Sequence, residues 1–181
     1  HYIICALLPL SIATYAQRQT PPPGGTPKDF SLPAKNTKAL ANGMKATMVQ
    51  YGAVPKVNVN LIIKTGNVHE GANQVWLSDL TANLMREGTT TMNSAAISKK
   101  VAAMGGDLNV NVGMDQATIS GSVLSEFAGD LIAIVADLVM NPSFPTSEIE
   151  RLKSDLKREL AVQKVRPQSQ AAEKFFQTIY P

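Results

Sequence analysis

The stretch MGGDLNVNVGMDQATISGSV, residues 104–123, contains a helix end, two strands and the turn that joins them. Its two consecutive glycines end a preceding helix, because glycine readily takes the left-handed conformation found just after a helix. Leucine and valine then alternate with asparagine over residues 108–112, which is the period of a strand with one buried face. Residues 113–115 supply a turn, and a second strand follows over 116–123. The stretch therefore predicts an antiparallel hairpin directly after a helix.

Two helices are predicted upstream of this hairpin. Apolar residues recur at helical spacing over residues 76–84, and this helix ends at Gly88, a natural C-cap position. A second helix is predicted over 94–104, with Asn93 or Ser94 as its N-cap, because either side chain can accept a hydrogen bond from a free N–H group of the first turn. The hairpin thus follows a pair of helices.

Three strands are predicted further upstream. Asn42-Gly43 lies between residues 38–41 and 44–49 and predicts a type I′ hairpin, because both turn residues tolerate positive φ. Valine, leucine and isoleucine then alternate with polar residues over 57–64, which is typical of a half-buried strand.

Two further helices are predicted downstream. An amphipathic helix starts at Phe127 and stops before Pro142, since proline disfavours helix in the residue that precedes it. Another begins after Thr146, with Thr146 or Ser147 as N-cap, and runs to about Val165. Three strands and two helices are thus followed by two strands and two helices, and this order predicts an α+β domain with a mostly antiparallel sheet and helices packed on one face. Such a fold by itself gives no function.

The N-terminal part of the chain is predicted to lie outside this domain. Residues 1–16 predict a signal peptide that is clipped at its start, because an apolar run over 3–13 precedes a small-x-small cleavage pattern ending at Ala16. A buried strand or helix is the alternative for this run. Residues 17–29 are rich in proline and glycine and predict an exposed linker, with a proline-rich partner motif as the alternative. The folded domain is predicted over residues 30–181.

Composition narrows the class of protein and its compartment. At 181 residues, with 44% hydrophobic and 17% charged residues, the chain can form one sizeable globular core. The net charge of +3 comes from scattered lysines and arginines without a basic stripe, which argues against nucleic acid as a partner. The only cysteine, Cys5, lies in the predicted signal peptide. An exported chain without a disulfide predicts the periplasm or cell envelope of a bacterium.

Three stretches of the sequence carry a family resemblance. They are residues 38–44 (KALANGM), residues 104–110 (MGGDLNV), and residues 137–144 (DLVMNPSF) leading into 157–160 (KREL). Together they resemble the N-terminal domain of the insulinase, pitrilysin and mitochondrial processing peptidase family. The resemblance implies a metallopeptidase half-domain over residues 30–181 that is C-terminally incomplete, because members of this family continue through further domains of similar fold.

The first helix is where the resemblance implies the zinc site of this family. Active members of the family carry the inverted zinc motif H-x-x-E-H there, with a further glutamate ligand downstream. Alignment on residues 88–89 places Asp79, Ala82 and Asn83 where the motif has histidine, glutamate and histidine. Glu159 follows Asn83 by 76 positions and corresponds to the downstream ligand. The first three positions are therefore degenerate, and only Glu159 is retained.

The histidines of the chain cannot rebuild the motif. Only His1 and His69 are present, and neither lies on the first helix. His69-Glu70 resembles the opening of an H-E-x-x-H site, but Asn73 stands where the second histidine belongs. We therefore expect no catalytic residue and no cofactor in this chain, although zinc serves the active relatives.

Two other uses of these positions remain open from the sequence. Asp79, Asn83 and Glu159 carry oxygen ligands that suit a hard cation such as calcium or magnesium. Alternatively, Arg86 shares the helix face of Asp79 and Asn83 and supplies a fixed positive charge where zinc would be.

The resemblance implies a catalytically silent subunit that helps to form a chamber and to bind oligopeptides for an active partner subunit of the same family. Its peptide-binding edge would be the strand containing Leu108, Asn109, Val110 and Asn111, because an edge strand needs only free backbone groups to bind an extended peptide. One alternative is an active zinc metalloendopeptidase with a divergent or downstream metal site. Another is a structural scaffold subunit of an envelope complex.

Overall fold

A computed structural model of the chain describes residues 24–25 and 31–180. The predicted signal peptide, residues 1–16, and the predicted linker, apart from Gly24 and Gly25, lie outside the described residues and stay predictions. The chain divides into two compact units between Gly52 and Ala53. In the described part, no helix combines the length and apolar character needed to cross a membrane.

The first unit contains a hairpin of two exposed strands. Strand β1 (Lys35–Ala39) pairs antiparallel with strand β2 (Lys45–Val49). Across the hairpin, Thr37 and Thr47 lie opposite each other and their hydroxyl oxygens are 3.1 Å apart. The predicted hairpin is therefore formed.

The predicted type I′ turn of this hairpin is wrong. A type I′ turn needs positive φ at both central residues, whereas here only Gly43 has it, with φ of 85°. The N–H of Leu40 donates to the carbonyl oxygen of Met44 over 2.8 Å, which closes a longer connection. The side-chain oxygen of Asn42 accepts a hydrogen bond from the N–H of Met44 over 3.1 Å. Asn42 thus acts through its side chain and only the glycine takes the left-handed conformation.

The second unit is built on a three-stranded antiparallel sheet in the order β3-β5-β4. Its strands are β3 (Lys56–Ile63), β4 (Asp107–Val112) and β5 (Ala117–Leu124). Central Ile119 of β5 lies opposite Leu61 of β3 and Val110 of β4. The predicted strands and the hairpin after the glycine pair are confirmed. Within this sheet, β4 pairs on one side only and is an edge strand.

Five helices complete this unit. They are α1 (Leu77–Arg86), α2 (Ser94–Ala103), α3 (Ala128–Met140), α4 (Ile149–Lys164) and α5 (Pro167–Ile179). The first four follow the prediction to within a few residues at each end. Helix α5 was not predicted. It begins with proline at its first position, where proline is favoured. All its side chains are exposed, so the helix has no buried stripe.

The predicted helix caps have mixed outcomes. Asn93 caps α2 as predicted, since its side-chain oxygen accepts the N–H of Ala96 over 2.8 Å. The prediction of Thr146 or Ser147 as the cap of α4 is wrong. Both residues lie in a short 3-10 turn that precedes α4, and Glu148 occupies the N-cap position without a side-chain cap.

The core lies between this sheet and helices α1, α2 and α3. Residues of β5 that contribute to it, Ile119 and Val123, are at most 1% exposed and point to the same face, because side chains alternate along a strand. The buried side chains that meet them from the helices are Ala82, Ile97, Val101, Leu131, Ile134, Val135 and Leu138. The predicted α+β class, with antiparallel strands and packed helices, is confirmed.

Candidate functional site

The start of α1 is held by a carboxylate from outside the helix. Glu70 accepts hydrogen bonds from the backbone N–H groups of Trp76 over 2.8 Å and Ser78 over 2.7 Å. Trp76 has a φ of 68°, in the left-handed region that non-glycine residues seldom adopt. The backbone hydrogen bond from Ser78, followed by smaller hydrogen-bond contributions from Ser78, Trp76 and Asn67, holds the pKa of Glu70 below its ordinary value despite opposing desolvation. Glu70 therefore acts as an anionic cap at the positive end of α1.

Asp79, the first degenerate position, is joined to the same network. Its Oδ2 accepts a hydrogen bond from Asn67 Nδ2 over 2.6 Å. Asn67 also donates to Glu70 Oε1 over 3.3 Å. Asp79 is thus held toward the segment that precedes α1 and has a structural partner.

The second degenerate position, Ala82, belongs to the hydrophobic core. Its side chain is 6% exposed and lies in the same cluster as Ile97 and Val101. The methyl group offers neither a metal ligand nor a proton acceptor. A carboxylate at this position would meet apolar neighbours instead of a bound water.

Asn83 and Glu159, the third degenerate position and the retained glutamate, share one concave surface. The surface lies between α1 and α4 and encloses about 480 Å³. Glu159 is exposed and its Oε1 accepts a hydrogen bond from Gln163 Nε2 over 3.3 Å. The side chains that line the surface are Asn83, Leu152, Asp155, Leu156, Arg158, Glu159 and Val162. Asn83 and Glu159 therefore line one surface, while their correspondence to metal ligands stays a prediction.

The donor set at these four positions does not fit zinc. Zinc in proteins takes imidazole, thiolate or carboxylate ligands in a tetrahedral arrangement. Here Ala82 has no donor, Asn83 offers only a neutral amide, and Asp79 is engaged by Asn67. Over residues 31–180, no three or more histidine, cysteine, aspartate or glutamate side chains are grouped so that they could hold a metal ion. The calcium or magnesium alternative gains no support from Asp79, which does not border the surface shared by Asn83 and Glu159.

The hypothesis that Arg86 replaces the zinc charge is not supported by the geometry. Among the described side chains, no ion pair within 4.0 Å joins Arg86 to Asp79 or Glu159. The Arg86 side chain is exposed and lies in a second cleft, between α1, α2 and β4.

Sequence reasoning missed Arg151, which joins α1 to α4. Its guanidinium donates to Glu148 over 2.6 Å, to Asp155 over 3.2 Å and to Glu87 at the end of α1. The hydrogen bonds that Arg151 donates to Glu148 and then to Glu87 raise its pKa above the ordinary value. The spacings to Glu148 and Asp155, three and four residues along a helix, are visible in the sequence. The pairing with Glu87, 64 positions away, requires the fold.

The second cleft, of about 540 Å³, runs beside the edge strand β4. Asn83 lines it as well as the surface shared with Glu159, so the two concavities meet at the degenerate motif. Helix α1 supplies Asn83, Arg86 and Glu87, while β4 supplies Asp107, Leu108 and Val110. The other lining residues are Ser94, Ile97, Ser98, Val101, Gly106, Leu138, Arg151 and Leu152.

The backbone of β4 presents alternate residues to its free edge. Gly113 N–H donates to the carbonyl oxygen of Gln116 over 2.8 Å, at the end of the β4-β5 pair. Because hydrogen-bonded pairs alternate along an antiparallel ladder, Asn109 is bonded to β5, whereas the N–H and C=O of Leu108 and Val110 point outward. The predicted peptide edge is thus a strand edge in which the backbone groups of Leu108 and Val110 point away from β5 and those of Asn109 face it, while peptide binding there stays a prediction.

Sequence comparisons identify the family. The sequence model of the insulinase family (peptidase family M16) matches residues 47–180, and the chain therefore belongs to this family. It is 27% identical over 145 residues to an uncharacterized zinc protease of Rickettsia bellii, covering 80% of this chain and 35% of that protein. It is 22% identical over 141 residues to the mitochondrial-processing peptidase subunit alpha of Solanum tuberosum, covering 77% of this chain and 28% of that protein. The chain thus spans about a third of the length of these relatives.

A solved structure agrees with the fold. The peptidase M16 inactive domain from Pseudomonas fluorescens superposes with a TM-score of 0.72 at 24% identity, covering 79% of this chain and 35% of that one. The resemblance inferred from three short stretches of sequence is therefore confirmed, and so is the fold class that it implied.

Proposed function

We propose that the chain is a catalytically silent subunit of an insulinase-family zinc peptidase complex, in which it helps to form the chamber and binds oligopeptides for an active partner. The observation that carries the proposal is the combination of a strand edge with a degenerate motif. The outward backbone groups of Leu108 and Val110 border a cleft that Asn83 also lines. Peptide binding needs the edge alone, whereas hydrolysis needs the metal ligands that α1 lacks.

The edge binds an extended peptide through main-chain groups. A peptide that adds to β4 as a further strand donates and accepts main-chain hydrogen bonds at alternate residues. Its side chains then project alternately to the two faces of the sheet. On one face they meet the cleft beside α1, and on the other they lie near the exposed Asn109 and Asn111.

Silence follows from the chemistry of α1. In active relatives a zinc-bound water attacks the peptide and the motif glutamate takes its proton. Ala82 cannot accept a proton, and Asp79 is held by Asn67. Glu159 alone leaves a single carboxylate at the rim of the site.

Backbone-methylated peptides test the peptide edge. Fluorescence anisotropy would measure binding of one extended, labelled peptide and of versions N-methylated at each successive amide. We expect methylation to weaken binding at every second position, because only alternate amides face β4. Equal weakening at all positions, or at none, would contradict strand addition. The protein is unaltered in this experiment, so misfolding cannot explain the result.

Cleavage assays test the silent-subunit role. The purified chain should leave an unstructured fluorogenic peptide intact, and should raise turnover when mixed with a homologue that has an intact H-x-x-E-H motif. Cleavage by the chain alone, abolished by Glu159→Gln, would establish the active-peptidase alternative instead. Co-purification with large membrane partners and no peptidase would favour the scaffold alternative.

We also propose that the chain is exported to the periplasm or cell envelope, on the basis of the apolar run over 3–13 and the cleavage pattern ending at Ala16. Fusion of residues 1–29, preceded by an initiator methionine, to alkaline phosphatase tests this directly. Phosphatase activity in intact bacteria is expected, and its absence with a stable fusion would contradict export.

A further inference from the structure

We infer that the peptides bound along β4 are selected for an acidic side chain on the helix-bearing face of the sheet, and that Arg86 is the residue that receives it. The inference rests on the proposed function, because it names the class of peptide that the same edge binds. Four charged side chains line the cleft beside β4, namely Arg86, Glu87, Asp107 and Arg151.

Two of the four charged side chains in this cleft neutralise each other. Arg151 donates to Glu87, and two further carboxylates, Glu148 and Asp155, hold the same guanidinium. Three of the five N–H groups of Arg151 donate to carboxylates, and the negative charge of those three acids disfavours a further anion beside the guanidinium. Glu87 Oε1 is engaged by Arg151, and among the described side chains no ion pair within 4.0 Å joins Glu87 to Arg86.

The other acid of the cleft is occupied by neutral donors. Asp107 Oδ1 accepts the hydroxyl of Ser122 over 2.6 Å, and Oδ2 accepts the amide of Asn109 over 3.1 Å. Both donors belong to the sheet, so Asp107 is held against β4 and β5.

Arg86 is the remaining charged side chain that lines the cleft. Among residues 31–180, no ion pair within 4.0 Å involves its guanidinium. It follows Asn83 by almost one helical turn and lines the same cleft as Leu108 and Val110. A guanidinium presents a planar fork of donors that matches a carboxylate in two parallel hydrogen bonds.

The alternation of a bound strand determines which peptide side chains Arg86 can reach. Side chains of Leu108 and Val110 point toward the helices, because Val110 is buried in the core and Leu108 packs against it. Every second side chain of a peptide paired with β4 projects to this same face. An acid there approaches Arg86, while an acid one position along projects to the opposite face.

Peptides that differ at one position test the inference. Labelled peptides of alternating valine and threonine would carry a single glutamate, or glutamine as the neutral match, at each position in turn. At low salt we expect glutamate to bind about fivefold more tightly than glutamine at the best-placed position, the gain of a partly exposed ion pair. The gain should recur only at positions of the same parity and shrink in high salt.

Two variants with equal loss of charge separate a local contact from a general field. Arg86→Gln should abolish the preference for glutamate. Lys99→Gln should retain it, because Lys99 is exposed on α2 and does not line the cleft. A preference that survives Arg86→Gln, or one without alternation, would overturn the inference while methylation-sensitive binding of all peptides still supports the edge. Failure of every peptide to bind would overturn both.

Discussion

Replacing Glu70 by alanine should destabilise the protein by releasing the start of α1. The carboxylate accepts two backbone hydrogen bonds, from Trp76 and Ser78, and hydrogen bonds to charged groups contribute about 1.5 to 3 kcal/mol each when they are well desolvated. Glu70 is only half-buried, so we expect a total nearer the range for helix caps, about 2 kcal/mol. The left-handed Trp76 adds to the sensitivity, because Glu70 helps to hold that conformation.

Urea unfolding of the wild type, Glu70→Ala and Glu70→Gln measures this effect. Glutamine retains the length of the side chain and one acceptor oxygen. The free energy of unfolding of Glu70→Gln should therefore lie between those of the wild type and Glu70→Ala. Glu126→Ala is the control, because Glu126 is exposed at the surface. A loss for Glu70→Ala no larger than that of the control would refute the capping role.

The same carboxylate should contribute to the acid limb of stability. The pKa of Glu70 is lowered in the folded protein from an ordinary value of 4.5. A lowered pKa means that the folded state favours the charged form, so the contribution is fully present above the ordinary pKa and is lost as the pH falls through the folded-state pKa. Glu70→Gln should therefore flatten the pH dependence of stability below about pH 5 relative to the wild type. An unchanged acid limb would contradict this assignment.

Three further predictions concern packing and the α1–α4 contact. In urea unfolding, Gly106→Ala should be clearly destabilised, because a Cβ there would overlap the carbonyl oxygen of Ser122. Gly129→Ala in α3 meets nothing within 4 Å and should stabilise by about 0.5 to 1 kcal/mol. The Ile134 side chain is 1% exposed, so Ile134→Ala should lower the free energy of unfolding by about 2 to 5 kcal/mol. Ile132 is 54% exposed, so Ile132→Ala should lower it far less. Equal losses for the two variants in urea unfolding would contradict the assigned core. Arg151→Leu should lower the melting temperature at low salt and less so at high salt, and a salt-independent loss would show that packing rather than ion pairing is involved.

Most of the fold follows from local patterns in the sequence. The hairpin β4-β5 and the four predicted helices each carry their own periodicity and stop signals, so no knowledge of distant contacts is needed. Helix α5 also carries local signals that were missed, because Pro167 suits a first helical position and Phe175, Phe176 and Ile179 recur at helical spacing. Cap and turn details depend on single side chains, which explains the errors at Asn42 and Thr146.

The candidate site, like the fold, could be predicted from the sequence only in part. Alignment places Asp79, Ala82 and Asn83 on one helix, and the fold brings Asn83 to Glu159 across α1 and α4. The burial of Ala82 and the engagement of Asp79 by Asn67 depend on packing between segments, which no local pattern contains. In this structure Ala82 is packed in the core and Asp79 accepts a hydrogen bond from Asn67.

The proposed function requires that Asp79, Ala82 and Asn83 leave this chain without a zinc centre, although Asn83 and Glu159 still line one surface. Competitive zinc titration against a chromogenic chelator, run on the wild type and on Asp79→His/Asn83→His, tests it most directly. The substitution at Asp79 removes the hydrogen bond from Asn67 that holds this side chain away from Glu159. Residues four apart on a helix face the same side, so the two longer imidazoles should then converge with Glu159 on one metal. We expect no tight zinc site in the wild type and one zinc per chain in the double variant. Adding Glu159→Gln to the double variant should weaken its zinc binding. Tight stoichiometric zinc binding by the wild type would contradict the proposed function.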